Sequence, residues 1–189
     1  MSQKDFLERI VIKLKDFGIP YMVSGSLGSS LHGEPRATND IDLVIAPTSA
    51  KQVKTFTQSL NKDYYVSSEA AEEAFNNHSM FNVIDYQTGW KADLIMLKDR
   101  PYSLEEFRRR IQENIIGIQV FVISPEDAIL TKLEWAKASE SERQIRDALG
   151  IAVVQWQTLD KDYLHKWAQE LNLKDLLDNL LKNAEKLQS

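Results

Sequence analysis

Asp40 and Asp42 stand two residues apart in Asn39-Asp-Ile-Asp-Leu-Val-Ile45, an arrangement of residue types that can do chemistry. Residues i and i+2 of a β-strand leave the same face. At a rise of about 3.3 Å per residue their Cβ atoms lie roughly 6–7 Å apart. Two carboxylates so placed can share a hard divalent cation such as Mg2+, which prefers oxygen ligands and keeps substrate phosphates in its shell. Upstream, the apolar Tyr21-Met-Val23 runs into Gly25-Ser26 and then a short helical piece carrying Leu27 and Leu31. Glycine lets a ligand approach the backbone closely, and N–H groups at a helix start attract phosphate. A phosphate cradle with paired carboxylates is the minimum kit for metal-assisted phosphoryl chemistry. Arg36 and Thr38, in the loop before the acid pair, read either as solvated loop residues or as a guanidinium and a hydroxyl meeting a triphosphate or an acceptor.

The elements that must position these groups follow from periodicity. Phe6, Leu7, Ile10, Leu14 and Phe17 predict an amphipathic helix over residues 3–17, ended by Gly18 and Pro20. Ser49 caps a predicted helix through about Leu60, with Val53, Phe56 and Leu60 as its buried stripe. Residues 63–66 predict a short strand, and Glu69 to Asn77 a short exposed helix. Met80 to Tyr86 and Lys91 to Leu97 predict two strands joined by the turn at Gln87-Thr-Gly89, which Asp85 caps. On the second of these, Asp93 shares a face with Lys91, Ile95 and Leu97. An acid there is costly to bury without a partner, and a metal site would resolve that cost. Ser103 is expected to cap a helix ending in Arg108-Arg-Arg110, and Ile118 to Ile123 is a further β-rich run. Ser124-Pro-Glu-Asp127 then signals a helix start. Helices are predicted at about 125–138, 140–156, 160–171 and 173–187, the last with a leucine stripe. The expected layout is an α+β core over 1–124 with a mixed sheet flanked by helices. A C-terminal helical region over 125–189 is expected to pack on it.

Bulk properties bound the rest. The chain has 189 residues, 43% hydrophobic and 27% charged, the ordinary balance of a globular protein. It has no cysteine, which excludes disulfides and thiolate metal sites. No apolar run reaches membrane-spanning length and the N-terminus lacks a signal-peptide core, so no membrane partner and a cytoplasmic location are expected. The net charge of −5 disfavours tight, general binding of polynucleotides. His32, His78 and His165 are not spaced as metal ligands. Trp90, Trp135, Trp156 and Trp167 read as core or helix-packing residues rather than a base-stacking platform.

Gly25-Ser26, thirteen intervening residues, and Asp40-x-Asp42 between apolar neighbours resemble the signature of the DNA polymerase β-like nucleotidyltransferase superfamily. Arg36-Ala-Thr38-Asn-Asp40-Ile-Asp42-Leu is similar to its small members, among them the minimal nucleotidyltransferases and the abortive-infection toxins of type IV toxin–antitoxin systems. The resemblance covers the first half of the chain well and the second half loosely. It implies the nucleotidyltransferase fold and a third carboxylate on a later strand, a place that Asp93 fits. It also implies Mg2+, as two ions, held by Asp40, Asp42 and Asp93, with ATP or another NTP as substrate. Relatives place a lysine on a following helix to meet the triphosphate, which makes Lys132 a candidate. Its plain reading is a lysine snorkelling from an apolar stripe beside Ile129 and Leu133. An acid near Asp147 is carried over in the same way, although Arg143 and Asp147, four apart, also read as a surface pair.

Two functions from different classes follow as expectations. The first is an enzyme, a Mg2+-dependent nucleotidyltransferase moving an NMP from an NTP to an acceptor hydroxyl with release of pyrophosphate. The acceptor is an RNA, a protein or a small molecule. The second is a catalytically weak binding module in a toxin–antitoxin-like complex, its partner protein docked on the apolar helical tail. Three converging carboxylates favour the enzyme, because a binding module has no physical need of them.

Overall fold

The computed structural model describes residues 2–35, 38–60, 62–115 and 117–188. Contacts divide the chain into two compact units, Met1–Ser26 with Ala37–Val122, and Leu27–Arg36 with Ile123–Ser189.

The first unit is built on a mixed seven-stranded sheet. In chain order its elements are α1 (Gln3–Asp16), β1 (Tyr21–Val23), the start of α2 (Gly25–His32), β2 (Asp40–Ile45), α3 (Ala50–Leu60), β3 (Tyr64–Tyr65), α4 (Ser68–Asn77), β4 (Met80–Asp85), β5 (Lys91–Met96), α5 (Pro101–Arg108), β6 (Ile111–Ile115) and β7 (Ile118–Val122). The strand order is β3-β4-β5-β2-β1-β7-β6. β2 runs parallel to β5, and β1 parallel to β7; the other neighbours are antiparallel. Strands β2 and β5 alternate strictly. Ile41, Leu43, Ile45, Ala92, Leu94 and Met96 are buried, while the residues between them are more exposed. That alternation gives one apolar core face and one face free for polar groups.

The helices of this unit follow their sequence signals. Ser2 and Asp5 form a reciprocal capping box at the head of α1, and Phe6, Leu7, Ile10, Val11 and Leu14 are its buried stripe. Helix α3 buries Val53, Phe56, Thr57 and Leu60. Helix α4 differs from the exposed helix expected: Ala71 and Ala74 are buried, because alanine is small enough to let α3 and α4 meet. Helix α5 starts at Pro101 rather than after Ser103, since proline's fixed φ suits the first helical position. Ser103 instead accepts from Arg100 Nε at 2.8 Å.

The second unit is helical. The rest of α2 joins α6 (Pro125–Ser139), α7 (Glu142–Val154), α8 (Lys161–Glu170) and α9 (Lys174–Lys186). Ser124 caps α6 by accepting from Asp127 N at 3.2 Å, with Pro125 in the first turn. Tyr163 Oη of α8 donates to Asp127 Oδ1 at 2.6 Å. The α9 stripe of Leu177, Leu180, Leu181 and Ala184 is buried against its own unit, so this apolar surface is used internally. Of the tryptophans, Trp135 departs from its expected place, while Trp90, Trp156 and Trp167 are half-buried. None of the four is fully buried, and Trp135 is 61% exposed. None of the helices searched among the described residues is long and apolar enough to cross a membrane.

Asp85, at the end of β4, is buried. Its Oδ1 accepts from the backbone N–H of Gln87 at 2.8 Å and Thr88 at 2.9 Å, and its Oδ2 is paired with Arg9 of α1. Burial pushes this carboxyl up, but Arg9 and the N–H groups of Thr88 and Gln87 outweigh burial and hold it below its ordinary value. The stability so gained is present above the ordinary aspartate value of about 3.9. It is lost as the pH falls through the lower folded value. Asp85→Asn is expected to cost about 1.5–3 kcal/mol at neutral pH, the worth of hydrogen bonds to a charged group. In a urea-unfolding series the gap between wild type and variant should narrow once the pH drops below about 4.

Candidate active site

The parallel register of β2 and β5 sets Asp42 opposite Asp93 and Asp40 opposite Lys91. On the far side of β5, antiparallel β4 sets Asn82 opposite Asp93. The less-buried face of the sheet therefore carries a grid of three acids, a lysine and an amide. Asp93 Oδ1 accepts from Asn82 Nδ2 at 2.5 Å, and its Oδ2 accepts from Lys91 Nζ at 3.2 Å. The same ammonium lies 3.5 Å from Asp40 Oδ1. The cost of placing Asp93 on this face is thus offset by two protein donors. Burial pulls the Lys91 ammonium's pKa down. The hydrogen bond that it donates to Asp93 and the charges of Asp93 and Asp40 outweigh that and hold it above its ordinary value. The Asp40 side chain is 52% exposed and that of Asp93 only 13%, so Asp40 is the more open to a ligand.

The Gly25 turn faces this grid. β1 ends at Val23, and Ser24 N donates to Asp42 O at 2.9 Å, which ties the strand end to β2. Gly25 then takes φ +58° and opens α2. A Cβ added there would lie 1.8 Å from Asp42 Oδ2 and 2.5 Å from its Cγ. Glycine is required twice over, by the left-handed backbone and by the carboxylate against it. Thr38 holds the entry to β2: its Oγ1 donates to Asp40 O at 3.1 Å and accepts from Asp40 N at 3.4 Å. Its hydroxyl thus shapes the backbone of the first acid. Arg36 lies outside the described residues.

The donor set suits a hard cation in part. Asp40 and Asp42 offer carboxylate oxygens on one face, and the cradle that a Cβ would fill at Gly25 abuts Asp42. Among the described residues, no three His, Cys, Asp or Glu side chains group closely enough to hold a metal ion. A pair of carboxylates completed by waters and ligand phosphates is the way Mg2+ is usually bound, so Asp40 and Asp42 fit it. The two oxygens of Asp93 already accept from protein donors.

Lys132 and Asp147 belong to the helical unit. Lys132 is 5% exposed rather than snorkelling to water, and its Nζ donates to Asp147 Oδ2 at 3.0 Å. The sequence could not show this pair, because the partners lie on α6 and α7 fifteen residues apart. Asp147 also borders a cleft of about 300 Å³ with Ser29, Ser30, Arg143 and Arg146. His32 is buried, and its Nε2 lies 2.7 Å from Ile123 O. Sequence reasoning missed Asn82, which needs strand pairing to be seen. Lys91 had left a signal, the i, i+2 parity that it shares with Asp93.

Two stability measurements check this geometry. Gly25→Ala should cost at least about 1–2 kcal/mol for the left-handed backbone, with a further loss from the clash with Asp42, read as a lower urea midpoint. Lys132→Met alone should destabilise the fold by about 1–3 kcal/mol, because it removes a charged hydrogen bond to the half-buried Asp147, and Lys132→Met with Asp147→Leu should recover part of that.

No family model matches the chain, and no curated protein matches its sequence. Its fold is nevertheless shared with solved structures. ANT(2'')-Ia in complex with adenylyl-2''-tobramycin is 15% identical, with TM-score 0.58 over 91% of this chain and 98% of that one. The lincosamide antibiotic adenylyltransferase LnuA, bound to lincomycin, is 15% identical, with TM-score 0.55 over 82% of this chain and 98% of its own. An antigenic nucleotidyltransferase-like protein from Paracoccidioides brasiliensis is 19% identical, with TM-score 0.54 over 92% and 89%. The seven-stranded mixed sheet with its helices and the helical region that follows are those of the nucleotidyltransferase fold.

Proposed function

We propose that this chain is a Mg2+-dependent nucleotidyltransferase that moves an NMP from an NTP to an acceptor hydroxyl and releases pyrophosphate. One observation carries the reading: the Gly25 turn lies directly against Asp42, whose strand also presents Asp40 on the same face. A phosphate rest thereby adjoins a pair of hard oxygen donors, on a fold shared with adenylyltransferases.

Each residue has a part in the proposal. The lack of a Cβ at Gly25 lets the phosphates and the Asp42 carboxylate come close together, and the Ser26 hydroxyl at the start of α2 positions the phosphates. Asp40 and Asp42 would hold Mg2+. When bound, that ion neutralises charge on the triphosphate and orients it. Asp93 stands level with Asp42. A carboxylate has about four lone-pair sites, and Asp93 spends two on Asn82 and Lys91. Another can accept a hydrogen bond from the acceptor hydroxyl and turn it toward the phosphorus. Positioning of this sort supplies most of the catalysis in phosphoryl transfer. Two of the similar solved structures concern antibiotics, tobramycin and lincomycin. A small-molecule hydroxyl is accordingly the first acceptor class to try.

Labelled ATP, CTP, GTP and UTP, offered with Mg2+ and panels of aminoglycosides, lincosamides, RNA and protein, are expected to give transfer of label to one acceptor. Asp40→Ala with Asp42→Ala should abolish both the transfer and the Mg2+-dependent part of calorimetric NTP binding. An unchanged affinity in that double variant sinks the assignment.

A further inference from the structure

We propose that the Lys91 ammonium takes the place of a second divalent cation, so that this chain binds its nucleotide with one Mg2+ rather than two. The inference rests on the nucleotidyltransferase reading above and narrows it.

A second ion would have to sit beside the first. In two-metal phosphoryl-transfer sites the ions lie about 3.5–4 Å apart and share carboxylates. Here the two carboxylates available for sharing beyond Asp42 are Asp40 and Asp93, and a cation already spans them. Lys91 Nζ is 3.5 Å from Asp40 Oδ1 and 3.2 Å from Asp93 Oδ2. Magnesium demands oxygen ligands at about 2.0–2.1 Å in near-octahedral geometry. It cannot enter between the same two oxygens while the ammonium is there. The other oxygen of Asp93 is held by Asn82 at 2.5 Å, which leaves neither oxygen of that carboxylate without a protein donor.

The lysine cannot be dismissed as a wandering surface chain. Its strand is paired on both sides, to β2 and to β4, with Asp40 and Ile84 as its direct neighbours. Its side chain is one-third exposed, and its head lies between the two acids rather than in bulk solvent. Among the three acids and one base of the grid, Lys91 supplies a permanent positive charge that a second metal ion would otherwise bring. Asp40 and Asp42 remain the pair for a single ion that completes its shell with water and phosphate.

Equilibrium dialysis of the full chain with Mn2+ and a non-hydrolysable NTP analogue tests this by counting protein-bound Mn2+ per protein-bound analogue. One ion is expected for the wild type, two for Lys91→Met, and one for Lys91→Arg, which keeps the charge. Lys91→Gln repeats the neutral test should Lys91→Met lose its circular-dichroism spectrum. Two ions in the wild type overturn the inference while leaving the nucleotide site intact. A count of one in both neutral variants overturns it equally. If the wild type binds no analogue at all, the nucleotidyltransferase reading falls and the inference goes with it.

Discussion

The register between β2 and β5 is the constraint on which the site depends. Because side chains alternate with a period of two, a one-residue slip of β2 would turn Asp40 and Asp42 into the core and expose Ile41, Leu43 and Ile45. The same slip of β5 would turn in Lys91 and Asp93 and expose Ala92, Leu94 and Met96. Those six apolar residues fix the register from beneath, and the polar grid above is its consequence. At about 25 cal/mol per Å2 of buried apolar surface, such a row outweighs any preference of the charges themselves. The geometry of the acids is therefore set by groups that never touch a ligand.

The second constraint is local. The chain leaves β1, makes one left-handed residue at Gly25 and starts a helix against the Asp42 carboxylate. That helix begins in the sheet unit and continues as part of the helical unit, where Leu27 to His32 belong. His32, at its end, meets Ile123 O, and Gln155 Nε2 donates to His32 O at 3.0 Å. Two elements far apart in sequence thus fasten the same short helix. Gly25 and Ser26 are counted with the sheet unit, and the residues after them pack within the helical unit.

What the sequence made legible was whatever depends on neighbours along the chain. The helix-start signal at Ser124-Pro-Glu-Asp127, the amphipathic stripes of α1 and α3 and the parity of Asp40, Asp42 and Asp93 are all local. Strand β6 was not legible. Ile-Gln-Glu-Asn-Ile is mostly polar, and it is a strand because β7 pairs with it at the sheet edge. The partners of Asp93 and Lys132 were hidden for the same reason: Asn82 and Asp147 are brought by tertiary packing. Ala71 and Ala74 read as surface because alanine carries little hydrophobic signal, yet small size is what lets two helices approach.

Exposure separates the acids that the sequence could not rank. Asp85 and Asp147 each have a basic partner from another element, Arg9 and Lys132, and Asp93 has Lys91 of its own strand. Their side chains are 1%, 13% and 16% exposed. Withdrawing a carboxylate from water is costly unless it is paired, so pairing by itself marks structure as readily as function. Asp40 is different. It is 52% exposed, so water can satisfy its charge, and it stands beside Lys91 because the strand register puts it there. Solvent reaches its carboxylate more readily than that of Asp93, which lies behind its ion pair.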